Sequence, residues 1–445
     1  MAPTTLAPQQ AEPAPAAADA VLTIDLGAIR ANYRRLKAEL DGVACAGVVK
    51  ADGYGIGAAL VASALAKEGC DTFFVAQLGE GLALRRALGD AGTIHILNGI
   101  PPDAEADAAA ANLVPVINSG TQLAAWRQAA RRCGRGLRAA VQVDSGMSRL
   151  GLAPGEVETI AGDPSSFDGI EVTLVMSHLA CADEPGHPAN ERQRLAFERL
   201  RHLLPPAPAS LANSSGIFLG RPYHYDLARP GAALYGINPT PGKASPMLPV
   251  VRLEAKVIQT RQLEAGAGVG YGHTFRATGP MRAATVSFGY ADGWHRRAAS
   301  AAWFEGVRLP FLGRVSMDSI ILDVSALPAN RLKAGDLVEF LGPSQSVDDA
   351  AGHAGTIGYE ILTSLGHRFH LQPRSQPLHG LPVHGIHHDV AGAEHAGKTA
   401  SGLDGHALAD GEALVLIVGD RRAMIHDALA LLYLGRQRSA QRHVQ

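Results

Sequence analysis

From residue 43 to about 230, short apolar runs alternate with stretches whose apolar residues recur at helical spacing. The runs are residues 43–49, 72–76, 93–97, 113–117, 137–143, 170–177, 209–212 and 225–228. Residues 43–49, all Val, Ala, Gly and Cys, read as a strand buried in a parallel sheet. Helical spacing is clearest over 58–67, 122–132 and 191–204. Eight strands alternating with helices predict a closed parallel (β/α)8 barrel of the TIM type. The alternative is an open doubly wound sheet. A phosphate-loop signature or an early Gly-rich dinucleotide turn would favour it, and the chain has neither.

After about residue 240 the texture changes. Residues 250–259, 282–287, 304–311, 319–324 and 337–341 form short β-branched runs broken by Gly, Pro or Asp, and long helices are sparse. This predicts a second, mostly antiparallel β domain. The expected organisation is a disordered lead over 1–20, the barrel over 21–240 and the β domain over 241–374. A His- and Gly-rich linker with a C-terminal extension follows over 375–445. Its spaced histidines, His379, His384, His387, His388 and His395, read as solvated, so no metal is assigned to them. Residues 420–438 have the pattern of an amphipathic helix, and Arg421, Arg422, His426 and Asp427 exclude a membrane span there.

At 445 residues the chain exceeds one ordinary domain, and its 47% hydrophobic content supports a sizeable core. A formal net charge of −2 makes no electrostatic case for nucleic acid or an anionic membrane as partner. No window is apolar for long enough to span a membrane. Residues 1–19 are rich in Ala, Pro and Gln, without the basic start and apolar middle of a secretory signal. Cys45, Cys70, Cys133 and Cys181 form no paired ligand motif and read as reduced thiols of a cytoplasmic protein.

Polar chemistry gathers at the C-terminal ends of the predicted barrel strands, the face on which such barrels work. Lys50 follows the first strand, Asp144 and Arg149 the fifth, His178 the sixth, Asn213 and Ser214 the seventh, and Arg229 the eighth. Any one of these alone is an ordinary loop residue; five clusters on one rim point to a shared site. Lys50 is the most telling. At the tip of a buried strand an amine is held rigidly, and burial disfavours its ammonium form. Such an amine is nucleophilic near neutral pH and suited to a Schiff base with a carbonyl cofactor.

Lys50-Ala51-Asp52-Gly53-Tyr54-Gly55 resembles the cofactor-lysine signature of the alanine racemases, pyridoxal 5'-phosphate enzymes of the barrel type. Val141-Gln142-Val143-Asp144-Ser145-Gly146-Met147-Ser148-Arg149 and Val269-Gly270-Tyr271-Gly272-His273 continue the likeness. So do Gly289-Tyr290-Ala291-Asp292-Gly293, Gly313-Arg314-Val315-Ser316-Met317-Asp318 and Gly355-Thr356-Ile357-Gly358-Tyr359. The resemblance implies that Lys50 carries the cofactor and that Tyr54 contacts its phosphate. Ser214, Gly231 and Ala232 are implied at the phosphate, with Asn213 nearby and Tyr359 also within reach. Arg149 is implied at the phenolic oxygen and beside the arriving substrate carboxylate. Lys50 and Tyr271 are implied as the two bases, one on each face of the substrate α-carbon, with His178 linking Tyr271 to Arg229 under the pyridine ring. Met317 and Asp318 are implied near the substrate carboxylate, and Tyr290 and Tyr359 along the approach to it. Arginine only donates hydrogen bonds, so a ring nitrogen facing Arg229 is expected to stay unprotonated, which suits a plain proton exchange.

The chain departs from the pattern at four places: Asp52-Gly53 for Asn-Ala, Ile56 for His, Ser316 for Cys, and Gln142 where many members have a carbamylated lysine. Gln142 offers Arg149 amide dipoles in place of a negative charge and widens the expected substrate range. The expected activity is interconversion of L- and D-alanine, supplying D-alanine for cell-wall peptidoglycan, by a head-to-tail homodimer in which Tyr271 of one subunit faces Lys50 of the other. A broad-range racemase is one alternative. A barrel-type decarboxylase is another; it would carry glutamate at the ring nitrogen and would not need Tyr271. A non-catalytic cofactor carrier would consist of the barrel alone.

Overall fold

A computed structural model describes residues 17–375 apart from residue 299, so the expected C-terminal extension, its histidines and most of the N-terminal lead lie outside the described residues. Seven strands pair in parallel in chain order: Gly47–Val48, Thr72–Val75, Thr93–Ile96, Val114–Ile117, Leu137–Gln142, Ile170–Met176 and Ala209–Ser210. An eighth, Leu227–Ala228, pairs in parallel with Ala44–Cys45. The Arg229 N–H donates to the Ala212 carbonyl at 2.9 Å, joining the eighth strand to the seventh. The sheet thus closes on itself, as the eightfold alternation predicts, and its eight C-terminal ends converge on one rim.

The crossover helices follow local chemistry. In Gly120–Cys133 the Ser119 hydroxyl accepts the Gln122 N–H, Gly134 ends the helix in the left-handed conformation, and Leu123, Trp126, Ala129 and Ala130 form the buried stripe.

The second sheet is mostly antiparallel and centres on the long strand Val251–Leu263, which pairs with Leu337–Leu341 and Met281–Val286. It also pairs with Ala20–Asp25, which in turn runs parallel to His370–Arg374. The first strand of the chain, within the range expected for the barrel, therefore belongs to the other sheet. Its six residues are all buried, which demands a partner strand on each edge, and the closed barrel has no free edge to offer. The apolar run 304–311 is likewise split into Ala301–Phe304 and Val307–Pro310, because Glu305 and Gly306 both take positive φ in a tight hairpin turn. Residues of both sheets share one buried core, from Leu22 and Val75 to Phe288 and Phe340.

Candidate active site

Lys50 leaves the first barrel strand and opens a turn of unusual hand. Ala51, Asp52, Gly53, Tyr54 and Gly55 all have φ between 51° and 87°. A left-handed run costs L-residues about 1–2 kcal/mol each, so it persists only where its surroundings hold it. The Gly53 N–H donates to the Val49 carbonyl at 2.9 Å, and the Gly55 N–H to Ala51 at 2.8 Å. The Asp52 carboxylate accepts the Ala58 N–H at 2.8 Å, tying the turn to the next helix. A Cβ on Gly53 would stand 2.9 Å from the Ala58 nitrogen. Asp and Gly at 52 and 53 thus suit this backbone. Burial lowers the pKa of the Lys50 amine; the Arg149 charge lowers it further and Glu80 opposes.

The same turn aims Tyr54 inward. Its ring stacks on Tyr235 with centroids 4.4 Å apart, and Tyr359 lies 6.0 Å away. Its hydroxyl occupies the space beside Gly231, where an added Cβ would approach it to 2.2 Å. The Ser214 hydroxyl accepts the N–H groups of Gly231 at 3.0 Å and Ala233 at 3.2 Å, and the Asn213 side chain accepts the Gly216 N–H at 2.9 Å. The loops after the seventh and eighth strands are thereby joined by backbone N–H groups of the eighth-strand loop donating to the Ser214 hydroxyl.

Arg229 is buried beneath this layer. It donates to the Ser210 hydroxyl, and its Nη2 donates to the Ser177 carbonyl at 2.6 Å. That Nη2 also lies 3.5 Å from Nδ1 of His178. Because arginine only donates, Nδ1 must accept, which leaves the imidazole proton on Nε2. Burial, then the charges of Arg229, Arg149 and Lys50, push the His178 pKa down to about 3. Burial lowers that of Arg229 to about 9, so at neutral pH a neutral imidazole faces a charged guanidinium.

These residues enclose one cavity of about 520 Å³ at the rim, lined by Lys50, Tyr54, Arg149, His178, Asn213, Ser214, Arg229, Gly231, Ala232 and Tyr359. Every residue that the resemblance implied at the cofactor is among them. Gln142 also lines it, as Arg149 does. Ala76, Leu97 and Asn98 were not foreseen; they stand after the second and third strands, so the strand-end rule applied evenly would have found them.

Tyr271, Tyr290, Met317 and Asp318 do not line this cavity. They lie on an edge of the antiparallel region. Tyr271 sits on a tight turn with Gly270, Gly272 and His273 all at positive φ, and is 68% exposed. The Tyr290 and Ala291 N–H groups each donate at 3.0 Å, to the Ser316 and Met317 carbonyls. Arg368 bridges this pair of loops, with Nε 2.7 Å from Asp292 and Nη1 2.7 Å from Asp318. Met317 is 53% exposed.

A rigid lysine whose pKa burial lowers, beside a hydroxyl- and amide-lined pocket at the mouth of a closed barrel, is the layout of an enzyme that holds an aldehyde cofactor with an anionic arm. The model for "Alanine racemase, N-terminal domain" matches residues 24–239, and that for "Alanine racemase, C-terminal domain" matches residues 250–372. The chain belongs to the alanine racemase family. It is 75% identical over 355 residues to the catabolic alanine racemase of Mesorhizobium japonicum, covering 80% of this chain and 93% of that protein. It is 51% identical over 361 residues to the catabolic alanine racemase of Agrobacterium fabrum, again covering 80% and 93%. Among solved structures it resembles the alanine racemase of Bartonella henselae with covalently bound pyridoxal phosphate, at 41% identity and a TM-score of 0.78, covering 80% of this chain and all of that one.

Proposed function

We propose that the Lys50 cavity and the Tyr271 edge are the two halves of one racemase site, brought together when two copies of the chain pair head to tail. The chain is an enzyme of the alanine racemase family that interconverts L- and D-alanine with pyridoxal 5'-phosphate. The observation that carries the site reading is the single cavity gathering ten implied cofactor residues.

The residues fit the cofactor. The glycine at 231 leaves a cradle that a Cβ would fill, rimmed by the hydroxyls of Tyr54 and Ser214. When bound, pyridoxal phosphate supplies an aldehyde for amines and a conjugated ring that draws electrons from the substrate α-carbon. Tyr54, Asn213, Ser214, Gly231, Ala232 and Tyr359 would hold its phosphate through hydroxyl and backbone donors. Arg229, as a donor only, would supply the ring nitrogen no acid-base partner. Arg149 orients the substrate carboxylate, assisted by Met317 and Asp318, while Tyr290 and Tyr359 flank the approach.

Lys50, whose pKa burial lowers, takes or returns the α-proton on one face. Tyr271 serves the opposite face. A phenol needs help to act as a base near neutral pH, and on this reading the Nε2–H of His178, backed by Arg229, would donate to the Tyr271 oxygen. An exposed Tyr271, Tyr290 and Met317 on one edge fit a surface that a second copy covers.

Gln142, lining the same cavity as Arg149, supports a range of amino acids wider than alanine. Two of the relatives are named catabolic, which favours a role in alanine breakdown over the cell-wall supply expected from the sequence. The described residues contain no helix long and apolar enough to cross a membrane, and all four cysteines are free, which supports action in the cytoplasm. The test is incubation of the holoenzyme with several L-amino acids, followed by chiral chromatography. D-Alanine is the expected product; release of CO2 without a D-enantiomer would overturn the reading in favour of a decarboxylase. Deletion of the gene should impair growth on alanine as carbon source; a strict D-alanine requirement instead would point to cell-wall supply.

A further inference from the structure

Glu80 stands outside every role assigned above, yet its carboxylate reaches further than its own helix requires. It belongs to the first turn of Leu78–Leu88, and one oxygen accepts the N–H groups of Ala76 at 2.7 Å and Gln77 at 3.0 Å. That is ordinary capping. The other oxygen accepts the N–H of Ala51, the residue after Lys50, at 2.6 Å. A single carboxylate therefore ties the end of the second barrel strand to the start of the left-handed turn. Asp52 holds the far end of that turn at Ala58. The turn carries Lys50 at one end and Tyr54 near the other, so its hand sets the relation between the amine and the phenol.

We infer that Glu80 is a positioning residue for the reaction: its carboxylate holds the peptide after Lys50 against the second-strand loop and fixes where the amine stands relative to the phosphate-side hydroxyl of Tyr54. The inference rests on the reading of Lys50 as the cofactor lysine. Glu80 also brings a negative charge that acts on the Lys50 amine, whereas Asp52, in the same turn as Lys50, directs its carboxylate to the Ala58 N–H. Arg149 faces the amine from the loop after the fifth strand and His178 from the end of the sixth. Arg229, Tyr54 and Tyr359 line the same cavity. Arg149 and Glu80 act on the Lys50 nitrogen in opposite directions, Arg149 disfavouring a proton there and Glu80 favouring it.

Glu80→Gln tests this, since it replaces one accepting oxygen by an amino group that faces donors. Apoprotein of the variant is titrated with pyridoxal phosphate while the visible absorbance of the bound cofactor is followed. Affinity should fall about tenfold to a hundredfold, the effect of losing a charge-assisted hydrogen bond. The pH at which that absorbance changes should move down, because protonation of the Lys50 nitrogen loses its carboxylate neighbour. Glu156 is the control: it closes the first turn of Pro154–Ala161 in the same way and does not line the cavity. Glu156→Gln should lower thermal stability and leave both readouts unchanged. Glu80→Asp keeps the charge with a shorter reach, and should show weakened affinity with an unmoved pH midpoint. Wild-type affinity and midpoint in Glu80→Gln overturn the inference; if that variant does not fold, wild-type affinity in Glu80→Asp does so. Failure of the underlying reading is separate: Lys50→Ala would then keep the visible absorbance whatever Glu80 does.

Discussion

The Lys50 cavity and the Tyr271 edge are built in opposite ways. Around Lys50, side chains converge from strand ends all round the barrel, and Arg229 is buried with hydrogen bonds to Ser177 and Ser210. Around Tyr271, glycines hold a tyrosine out into solvent, and the neighbouring loops are joined by backbone hydrogen bonds and the Arg368 bridge. The first region is complete within one chain. On the proposed head-to-tail pairing, the second would act against another subunit's surface: the fold presets the expensive part of the site, the buried charges, and assembly would desolvate the exposed phenol.

The sharpest way to break this comparison is to inactivate each half separately. Lys50→Ala should abolish both racemisation and the visible absorbance of the cofactor, whereas Tyr271→Phe should keep the absorbance. Mixed and reassociated, the two inactive variants should regain about a quarter of wild-type activity, since half of randomly formed dimers are mixed and each carries one intact site. No recovery on mixing, with subunit exchange verified, would mean that both groups act within one chain.

The next effect is directional. Tyr271→Phe should slow proton removal from L-alanine by about 10²–10⁴-fold, the usual contribution of a general base, and from D-alanine far less. Equal losses in isotope exchange from both enantiomers would sink the two-face assignment.

A pair of glycines sharpens the contrast further. Gly231→Ala would place a methyl 2.2 Å from the Tyr54 hydroxyl, and Gly289→Ala one 2.3 Å from the Met317 carbonyl. Overpacking of this kind costs about 1–3 kcal/mol, so Gly231→Ala should weaken cofactor binding by about tenfold or more. Gly289→Ala should leave cofactor affinity alone and raise KM for alanine. Reversed phenotypes would contradict the division of labour.

The smallest effect probes the buried half by acid. His95 lies inside the barrel, stacked on Phe74 at 4.5 Å, and burial followed by the Arg138 and Arg229 charges pushes its pKa to about 3. Below the ordinary histidine value near about 6.5 the unfolded chain binds a proton that the folded chain refuses, so stability falls with pH down to about 3. The slope contributed is about 1.4 kcal/mol per pH unit. His95→Leu should flatten the denaturant-unfolding profile between pH 7 and pH 5 by about that amount; an unchanged profile would show that the imidazole is solvated.

Much of the barrel half was legible because strand ends are local features. Periodicity located all eight strands, and Lys50, Asn98, His178, Asn213 and Arg229, each next after an apolar run, line the cavity. The left-handed turn was not legible, although Asp52-Gly53 is compatible with it, because Ala51 and Tyr54 carry no local preference for positive φ. Ala76, Leu97 and Asn98 escaped notice because apolar and amide residues announce no chemistry. The placement of residues 20–25 escaped for a different reason. A short apolar strand reads the same in either sheet, and only pairing across more than two hundred residues assigns it.

The linear order of residues by itself determined the alternation that closes a barrel, the chemistry available at its mouth, and the family signatures around Lys50 and Tyr271. Tertiary structure decided which of those residues share a cavity, how the Lys50 turn is held, and that Tyr271 stays outside. The division has a physical cause: propensity and periodicity act between neighbours in the chain, whereas burial, desolvation and hydrogen-bond closure depend on groups that only folding brings within reach.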